Sequence, residues 1–167
     1  MSHYKIFVLK NVNEKNDMVE FDEDRMYEET KHFADYVQEE EIDRMYLKWL
    51  EDELKIMFGD ENVRADQNRF TVTYASAIHY FEALRERVHR AIQIAMLYPV
   101  EDFVQIDLEK PGWWQIKEML ESHYDTNFYL YGFGCETRTS FAEDVLWMTK
   151  NDESVTLELR QVFDFHT

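Results

Sequence analysis

The stretch from Asp22 to Phe58 constrains the fold most, because its 37 residues include neither glycine nor proline. Its apolar side chains recur at helical spacing, at Met26, Phe33, Val37, Ile42, Met45 or Tyr46, Trp49 or Leu50, Leu54 and Met57. The step from Val37 to Ile42 is five residues, so the pattern predicts two consecutive helices, or one helix bent near residues 38–41. Gly59 follows the last apolar positions, where a left-handed C-cap is expected.

The rest of the chain predicts further strands and helices. Strand patterns occur at Tyr4–Val12, Arg69–Tyr74, Phe103–Leu108, Phe128–Tyr131 and from Val155 onwards. After Arg160 the apolar phase of the last strand slips, which predicts a β-bulge. Helical patterns occur at Ala77–Leu97, Pro111–His123 and Ser140–Met148, with Ser76 and Ser140 as the expected N-caps.

Helices and strands are intermixed along the chain, and the strands alternate instead of being apolar throughout. Alternation favours a sheet with one solvated face. We therefore expect an α+β fold in a single domain over residues 1–167. It would contain about five mostly half-buried strands and four to five helices, with two consecutive acidic helices near the N-terminus.

The charge balance limits the classes of partner. The chain has 35 acids and 18 bases, for a net charge of -17. Such a protein repels nucleic acid and anionic membranes and attracts basic proteins, so we expect no direct contact with nucleic acid or with a membrane. Since 45 % of the residues are hydrophobic, the chain is not a disordered acidic tail.

The cellular location is inferred from the cysteine count and from the apolar runs. Cys135 is the single cysteine, which excludes an intramolecular disulfide and suits a reducing compartment. No apolar run has the length of a signal peptide core or a membrane span. We expect a cytoplasmic protein.

Metal and cofactor motifs are weak. Two Glu-x-x-His pairs, Glu29/His32 and Glu86/His89, have the spacing used in di-iron bundles, but the number of Glu and His residues explains them by chance. The run Asp22–Asp24 lacks the glycine of a calcium loop, since Tyr27 stands at that position. These acids fit the N-terminus of a helix instead. We expect no cofactor and no metal.

One loop has the composition of a reactive site. Gly132–Arg138 contains Cys135, and Arg138 nearby would lower the pKa of its thiol. The glycines match neither a phosphate-binding loop nor a dinucleotide fingerprint. A small enzyme or ligand-binding domain that uses this loop is the alternative to a binding protein, and a self-associating structural protein is a third hypothesis.

Between Asp17 and Asp66 there are 18 acids and six bases. Helical spacing predicts local ion pairs for some of them, namely Glu40–Arg44, Lys48–Asp52 and Glu51–Lys55. The acids without an obvious local partner are the predicted partner-binding residues: Glu23, Glu28, Asp35, Glu39, Glu41, Asp43 and Glu53. Acids one helical turn apart lie about 5–6 Å from each other, a density similar to the phosphate row of a nucleic acid strand.

The same acidic stretch contains aromatic residues that are expected to contact the partner. Aromatic side chains between the acids would supply contacts wherever they are exposed, at Tyr27, Tyr36, Tyr46 and Trp49. The basic cluster Arg85, Arg87 and Arg90 is expected to pair with the acidic helices inside the fold.

The sequence therefore predicts a non-enzymatic acidic protein that inhibits or neutralises a basic protein partner. The partner would be a nuclease or a nucleic-acid-binding protein whose binding surface is covered. Immunity proteins that neutralise toxins and phage anti-defence proteins that mimic nucleic acid have surfaces of this type. The likeness is one of composition and not of motif.

Overall fold

The described chain folds around one mixed β-sheet. The computed structural model describes residues 3–15, 20–32, 34–97, 99, 116 and 126–166. Its strands are β1 (His3–Asn11), β2 (Tyr36–Glu40), β3 (Val63–Asp66), β4 (Arg69–Thr73), β5 (Thr126–Leu130), β6 (Gly134–Glu136) and β7 (Ser154–His166). Its helices are α1 (Glu23–Thr30), α2 (Arg44–Phe58), α3 (Tyr74–Leu97) and α4 (Arg138–Asp152), with a 3₁₀ turn at Asp60–Asn62.

The C-terminal strand β7 occupies the centre of the sheet. β1 pairs with it in antiparallel fashion along its whole length. On its other edge, β7 pairs with β4 through its first half and with β2 through its second half. β5 pairs in parallel with β1, while β3 and β6 extend the sheet as hairpin partners of β4 and β5.

A β-bulge divides β7 into these two halves. Leu159 lies opposite Leu9, but Gln161 lies opposite Val8, so Arg160 is an extra residue in the ladder. Side chains beyond the bulge therefore change faces, and Val162 packs with Leu159 in the same core. The predicted slip after Arg160 is confirmed.

The sheet is covered on both faces by two separate cores. The larger core packs α2, α3 and α4 against the sheet, with Phe7 and Leu9 of β1 among its residues. The smaller core lies on the other face of β1, around Ile6 and Val8, and α1 contributes Met26 to it. The α+β fold is confirmed, but the expectation of a solvated sheet face is wrong at β1, because residues 20–37 cover that face.

A strand separates the two N-terminal helices, so the prediction of two consecutive helices is wrong. β2 runs antiparallel to the second half of β7, with Val37 opposite Phe165. Both of these side chains are buried in the smaller core, and this burial outweighs the helical spacing of the sequence. The five-residue step from Val37 to Ile42 marks the passage from β2 to α2, which begins after Asp43.

The predicted N-caps of α3 and α4 are three residues too late. Thr73 accepts a hydrogen bond from the backbone of Ser76, and Ser76 accepts one from the backbone of Thr73. Thr137 and Ser140 form the same reciprocal pair at α4. Both serines are therefore third residues of their helices, and the threonines are the caps.

The other predicted elements divide into confirmed, missed and undescribed ones. The strands at Tyr4–Val12 and Phe128–Tyr131 correspond to β1 and β5. The short strands β3 and β6 were missed, because each has only three or four residues beside a turn. The predictions for Phe103–Leu108 and Pro111–His123 lie outside the described residues. Within the described ranges, no helix has both the length and the apolar composition needed to cross a membrane.

A buried glutamine fastens the segment before α1 to the centre of the sheet. Gln161, at the bulge, is only 4 % exposed. Its amide donates to the Phe21 carbonyl at 2.8 Å and accepts from the Phe21 N–H at 2.9 Å. The same amide donates to the Glu39 carboxylate at 2.7 Å. One side chain thus holds both the start of α1 and the middle of β2.

We predict that Gln161→Leu lowers the free energy of unfolding by about 2 kcal/mol, because it leaves buried backbone groups of Phe21 without a partner. Urea unfolding measures this loss, and hydrogen exchange should rise selectively in residues 20–40. Gln38→Leu, which changes an exposed glutamine of β2, is the control and should cost less than about 0.5 kcal/mol. Equal losses in the two variants would contradict the role of Gln161.

Candidate partner-binding surface

The negative charge of the protein is concentrated in residues 20–43, here called the acidic segment. It contains eleven acids and two bases, so 24 residues contribute -9 of the net charge of -17. Ten of these acids are exposed: Glu20, Asp22, Glu23, Asp24, Glu28, Glu29, Asp35, Glu39, Glu41 and Asp43. The segment comprises α1, β2 and the loops on either side of them.

The acids of α1 stabilise the helix and remain at its surface. Asp22 is the N-cap and accepts from the Arg25 N–H at 2.8 Å. Glu28 pairs with Lys31 at 2.5 Å, and the hydrogen bond between them raises the pKa of Lys31. A pair this exposed adds little stability, so the Glu28 carboxylate stays accessible to a partner.

Two of the predicted acids meet at the outer edge of β2. The backbone N–H of Glu39 donates to the Glu23 carboxylate at 3.0 Å, while the Glu39 carboxylate accepts from Gln161. The opposite edge of β2 pairs with β7. The Glu23 carboxylate therefore accepts from a backbone N–H that points away from the sheet. A carboxylate at this place makes the open edge acidic and hinders pairing with another strand.

Three more predicted acids lie beyond or before β2. Asp43 is the N-cap of α2 and accepts from the backbone N–H groups of Met45 and Tyr46, at 2.8 and 3.0 Å. Asp35 and Glu41 are exposed, and their carboxylates bond to no other described side chain or backbone group. Of the predicted partner-binding acids, these two are the ones that the fold itself uses least.

Glu53 does not belong to this surface, and its inclusion among the partner-binding residues was wrong. It is a buried residue of α2. Its carboxylate pairs with the guanidinium of Arg138, at the start of α4. The partner is 85 positions away in the sequence, so local spacing gave no sign of it.

The acids of α2 are compensated and form no continuous row with those of α1. Asp52 pairs with Lys48 at 2.5 Å, and Glu51 pairs with Lys55, both as predicted. The predicted Glu40–Arg44 pair has no helical basis, because Glu40 lies on β2. Since α1 and α2 pack on opposite faces of the sheet, the acidic row along two helices does not exist.

Acids of β7 are likewise compensated. Glu158 lies between Arg69 and Arg160, at 3.4 and 3.1 Å. Its burial raises the pKa of the carboxyl, but the hydrogen bonds from Arg160 and Arg69 outweigh burial, and the pKa is lowered. Asp164 pairs with Lys5 of β1 at 3.0 Å. Compared with the acids of α2 and β7, those of the acidic segment are therefore less compensated by neighbouring bases.

Three of the four aromatic residues predicted to contact a partner are exposed. Tyr27 is 38 %, Tyr36 50 % and Trp49 52 % exposed, whereas Tyr46 belongs to the larger core. Tyr27 and Tyr36 line one surface groove of about 270 Å³ between α1 and the start of β2. Trp49 lies on α2, outside this groove.

The basic cluster of α3 does not pair with the acidic segment. Within the described ranges, Arg85, Arg87 and Arg90 form no ion pair. α3 packs on the face of the larger core, while α1 covers the other face. The sheet thus separates these arginines from the acids of α1. The acids of α2 lie on the same face as α3, but they pair with Lys48, Lys55 and Arg138 instead.

The loop around Cys135 differs from its prediction. Gly132 adopts a positive φ in the turn between β5 and β6, and Cys135 belongs to β6. The guanidinium of Arg138, the cation expected to act on the thiol, is engaged by Glu53 of α2.

The two Glu-x-x-His pairs differ in the structure, because only the second lies on one helix. α1 ends at Thr30, so Glu29 and His32 do not share a helix. His89 of the second pair is exposed on α3, 3.1 Å from the side-chain amide of Gln93. No cluster of three or more metal-ligating side chains occurs among the described residues.

Sequence reasoning missed several residues of the surface. Glu20, Asp24 and Glu29 are exposed in the acidic segment, and they were omitted because helical spacing assigned them no special position. Charge counted in a short window would have found them. Nothing in the sequence marks Gln161, whose partners are more than 120 positions away.

Comparison of this chain with protein-family models, with curated proteins and with solved structures finds no match.

We predict that Glu53→Gln lowers the free energy of unfolding by about 3 kcal/mol, because Arg138, which is largely covered by the protein, then remains charged and unpaired. Chemical denaturation measures this loss. Glu51→Gln breaks a more exposed pair on the same helix and should cost less than about 1 kcal/mol. The double variant Glu53→Leu/Arg138→Met should be more stable than Glu53→Gln, since it removes both charges. A similar small cost for Glu53→Gln and Glu51→Gln would contradict the account.

Proposed function

We propose that this protein is a non-enzymatic acidic binding protein that neutralises a basic protein partner. The acidic segment docks on a partner surface that otherwise binds nucleic acid, in a nuclease or another nucleic-acid-binding protein. The role corresponds to that of an immunity protein or of a phage anti-defence protein that mimics nucleic acid.

The observation that carries this proposal is the unequal compensation of charge. Acids of α2 and β7 have bases beside them, whereas the acidic segment holds eleven acids with two bases. Those two bases reduce the excess little, because Lys31 is paired with Glu28 and the Arg25 guanidinium lies over the Phe21 ring. From outside the segment, Arg160 of β7 lies 3.9 Å from Glu20, in a largely exposed pair. Uncompensated surface charge lowers stability through self-repulsion, so its concentration in one place favours a binding role.

The geometry also supports a partner with an extended basic surface. β2 and its following loop contain Glu39, Glu40, Glu41 and Asp43 within five residues. Counted along the chain, this density of acids is similar to that of phosphates along a nucleic acid strand, although successive strand side chains point to opposite faces. Complementary charge of this kind accelerates association and makes it sensitive to salt. Gln161 holds the start of α1 and the middle of β2 at the sheet, which favours a rigid surface.

The alternative, an enzyme or ligand-binding domain that uses Cys135, has less support. Its chemistry required a free cation near the thiol, and Arg138 is paired with Glu53. Alkylation of Cys135 at the rate of a model thiol would argue further against it.

The test is a pull-down from a lysate of the source organism, followed by washes of rising salt and mass spectrometry. We predict that the wild type retains a basic nuclease or nucleic-acid-binding protein, which salt releases. A triple variant of exposed acids, Glu20→Lys/Glu29→Lys/Glu41→Lys, should retain at least about tenfold less of this partner.

The control carries the same change of charge outside the acidic segment, as Glu61→Lys/Asp66→Lys/Glu143→Lys, and should retain the partner. Equal capture by both triple variants, or a captured partner without excess basic charge, would contradict the proposed function.

A further inference from the structure

The groove between α1 and β2 is lined by acidic and aromatic side chains from both elements. Glu23, Asp24 and Tyr27 come from the first turns of α1, while Asp35, Tyr36 and Val37 come from the start of β2. The groove lies along the side of β2 that faces away from β7, and no other strand of the described chain pairs with β2 there. The described residues therefore leave this side of β2 open to a segment of another protein.

The acidic and aromatic side chains that line the groove favour a positively charged ligand. Three carboxylates contribute negative charge, and the faces of tyrosine rings attract cations through their quadrupoles. Both rings keep a large exposed area, 38 % for Tyr27 and 50 % for Tyr36. An aliphatic ligand would use the rings alone, and an anion would be repelled by the carboxylates.

Among the described residues, no base of the protein lines the groove. Arg25 and Lys31 are the two bases of the acidic segment. The Arg25 guanidinium lies 4.6 Å from the centre of the Phe21 ring, and Lys31 pairs with Glu28. Neither base lines the groove. The Tyr36 ring contacts the His166 ring at 5.5 Å, but half of its area stays exposed to a partner.

We propose that this groove binds an arginine side chain of the basic partner, placed between Tyr27 and Tyr36 and paired with Asp35, Asp24 or both. This inference rests on the proposed function and specifies its anchor. Arginine is favoured over lysine because the planar guanidinium stacks on aromatic rings, binds carboxylates in bidentate fashion and is less strongly hydrated than an ammonium group. The surrounding acids then orient the partner, while the groove supplies the contact that distinguishes one basic segment from another.

The experiment uses two capped Gly-Ser peptides of nine residues, one with three arginines and one with three lysines at the same positions. NMR titration of the labelled full-length chain gives the binding site and the dissociation constant. The arginine peptide should shift the amide signals of Tyr27, Asp35 and Tyr36 most, and it should bind about fivefold more tightly than the lysine peptide.

Matched variants assign the site. Tyr27→Ala/Tyr36→Ala and, separately, Asp24→Asn/Asp35→Asn should weaken binding of the arginine peptide by about fivefold or more. Tyr74→Ala removes a tyrosine of α3 that is 43 % exposed, and Asp60→Asn/Asp66→Asn removes two exposed acids outside the segment. These controls should change affinity by less than about twofold. The amide variants leave the rings and the core unchanged, so they test the site even if the alanine variants unfold.

Binding of the arginine peptide supports the inference only if the lysine peptide binds more weakly and if the groove variants, but not the control variants, weaken the binding. Equal affinity of the two peptides, equal weakening by groove and control variants, or no binding of the arginine peptide would overturn it. The proposed function is tested separately, because the pull-down uses Glu20, Glu29 and Glu41, which lie outside the groove.

Discussion

The bulge at Arg160 is the constraint on which the rest of the structure depends. Without the extra residue, β7 would present one apolar face along its length and would contribute no apolar side chain to the smaller core. With it, Leu157 and Leu159 face the larger core, while Phe163 and Phe165 face the smaller one. The same shift turns Gln161 towards the smaller core, where it holds Phe21 and Glu39. The bulge therefore positions the acidic segment as well as the second core.

The sheet also acts as a barrier between opposite charges. Acids on the side of the larger core, such as Glu53, reach bases of neighbouring helices and become part of the packing. The acidic segment lies on the other face and at the edge of β2, where α1 is the neighbouring helix and has itself an acidic surface. Its carboxylates remain exposed because the fold brings few bases to them. We interpret this arrangement as a surface kept for a basic partner.

Sequence patterns predicted the features that depend on local spacing. The α+β class, the slip after Arg160 and the Lys48–Asp52 pair each follow from residues within one or two turns or strand steps. Features that depend on residues far away in the sequence were not predicted. Val37 became a strand residue because Phe165 lies beside it, and Glu53 was buried because Arg138 reaches it. The negative charge of the candidate surface and its approximate position in the chain were predictable from the sequence. The exclusion of α2 from this surface and the groove beside Tyr27 were not.

Displacement of nucleic acid tests the central claim most directly. A basic partner recovered with this protein would be loaded with a fluorescent duplex, and the acidic protein would be titrated into the complex at low ionic strength. The account predicts that fluorescence anisotropy falls to the value of free duplex near one equivalent, because both ligands require the same basic surface. A ternary complex, in which anisotropy rises and the duplex stays bound, would contradict it.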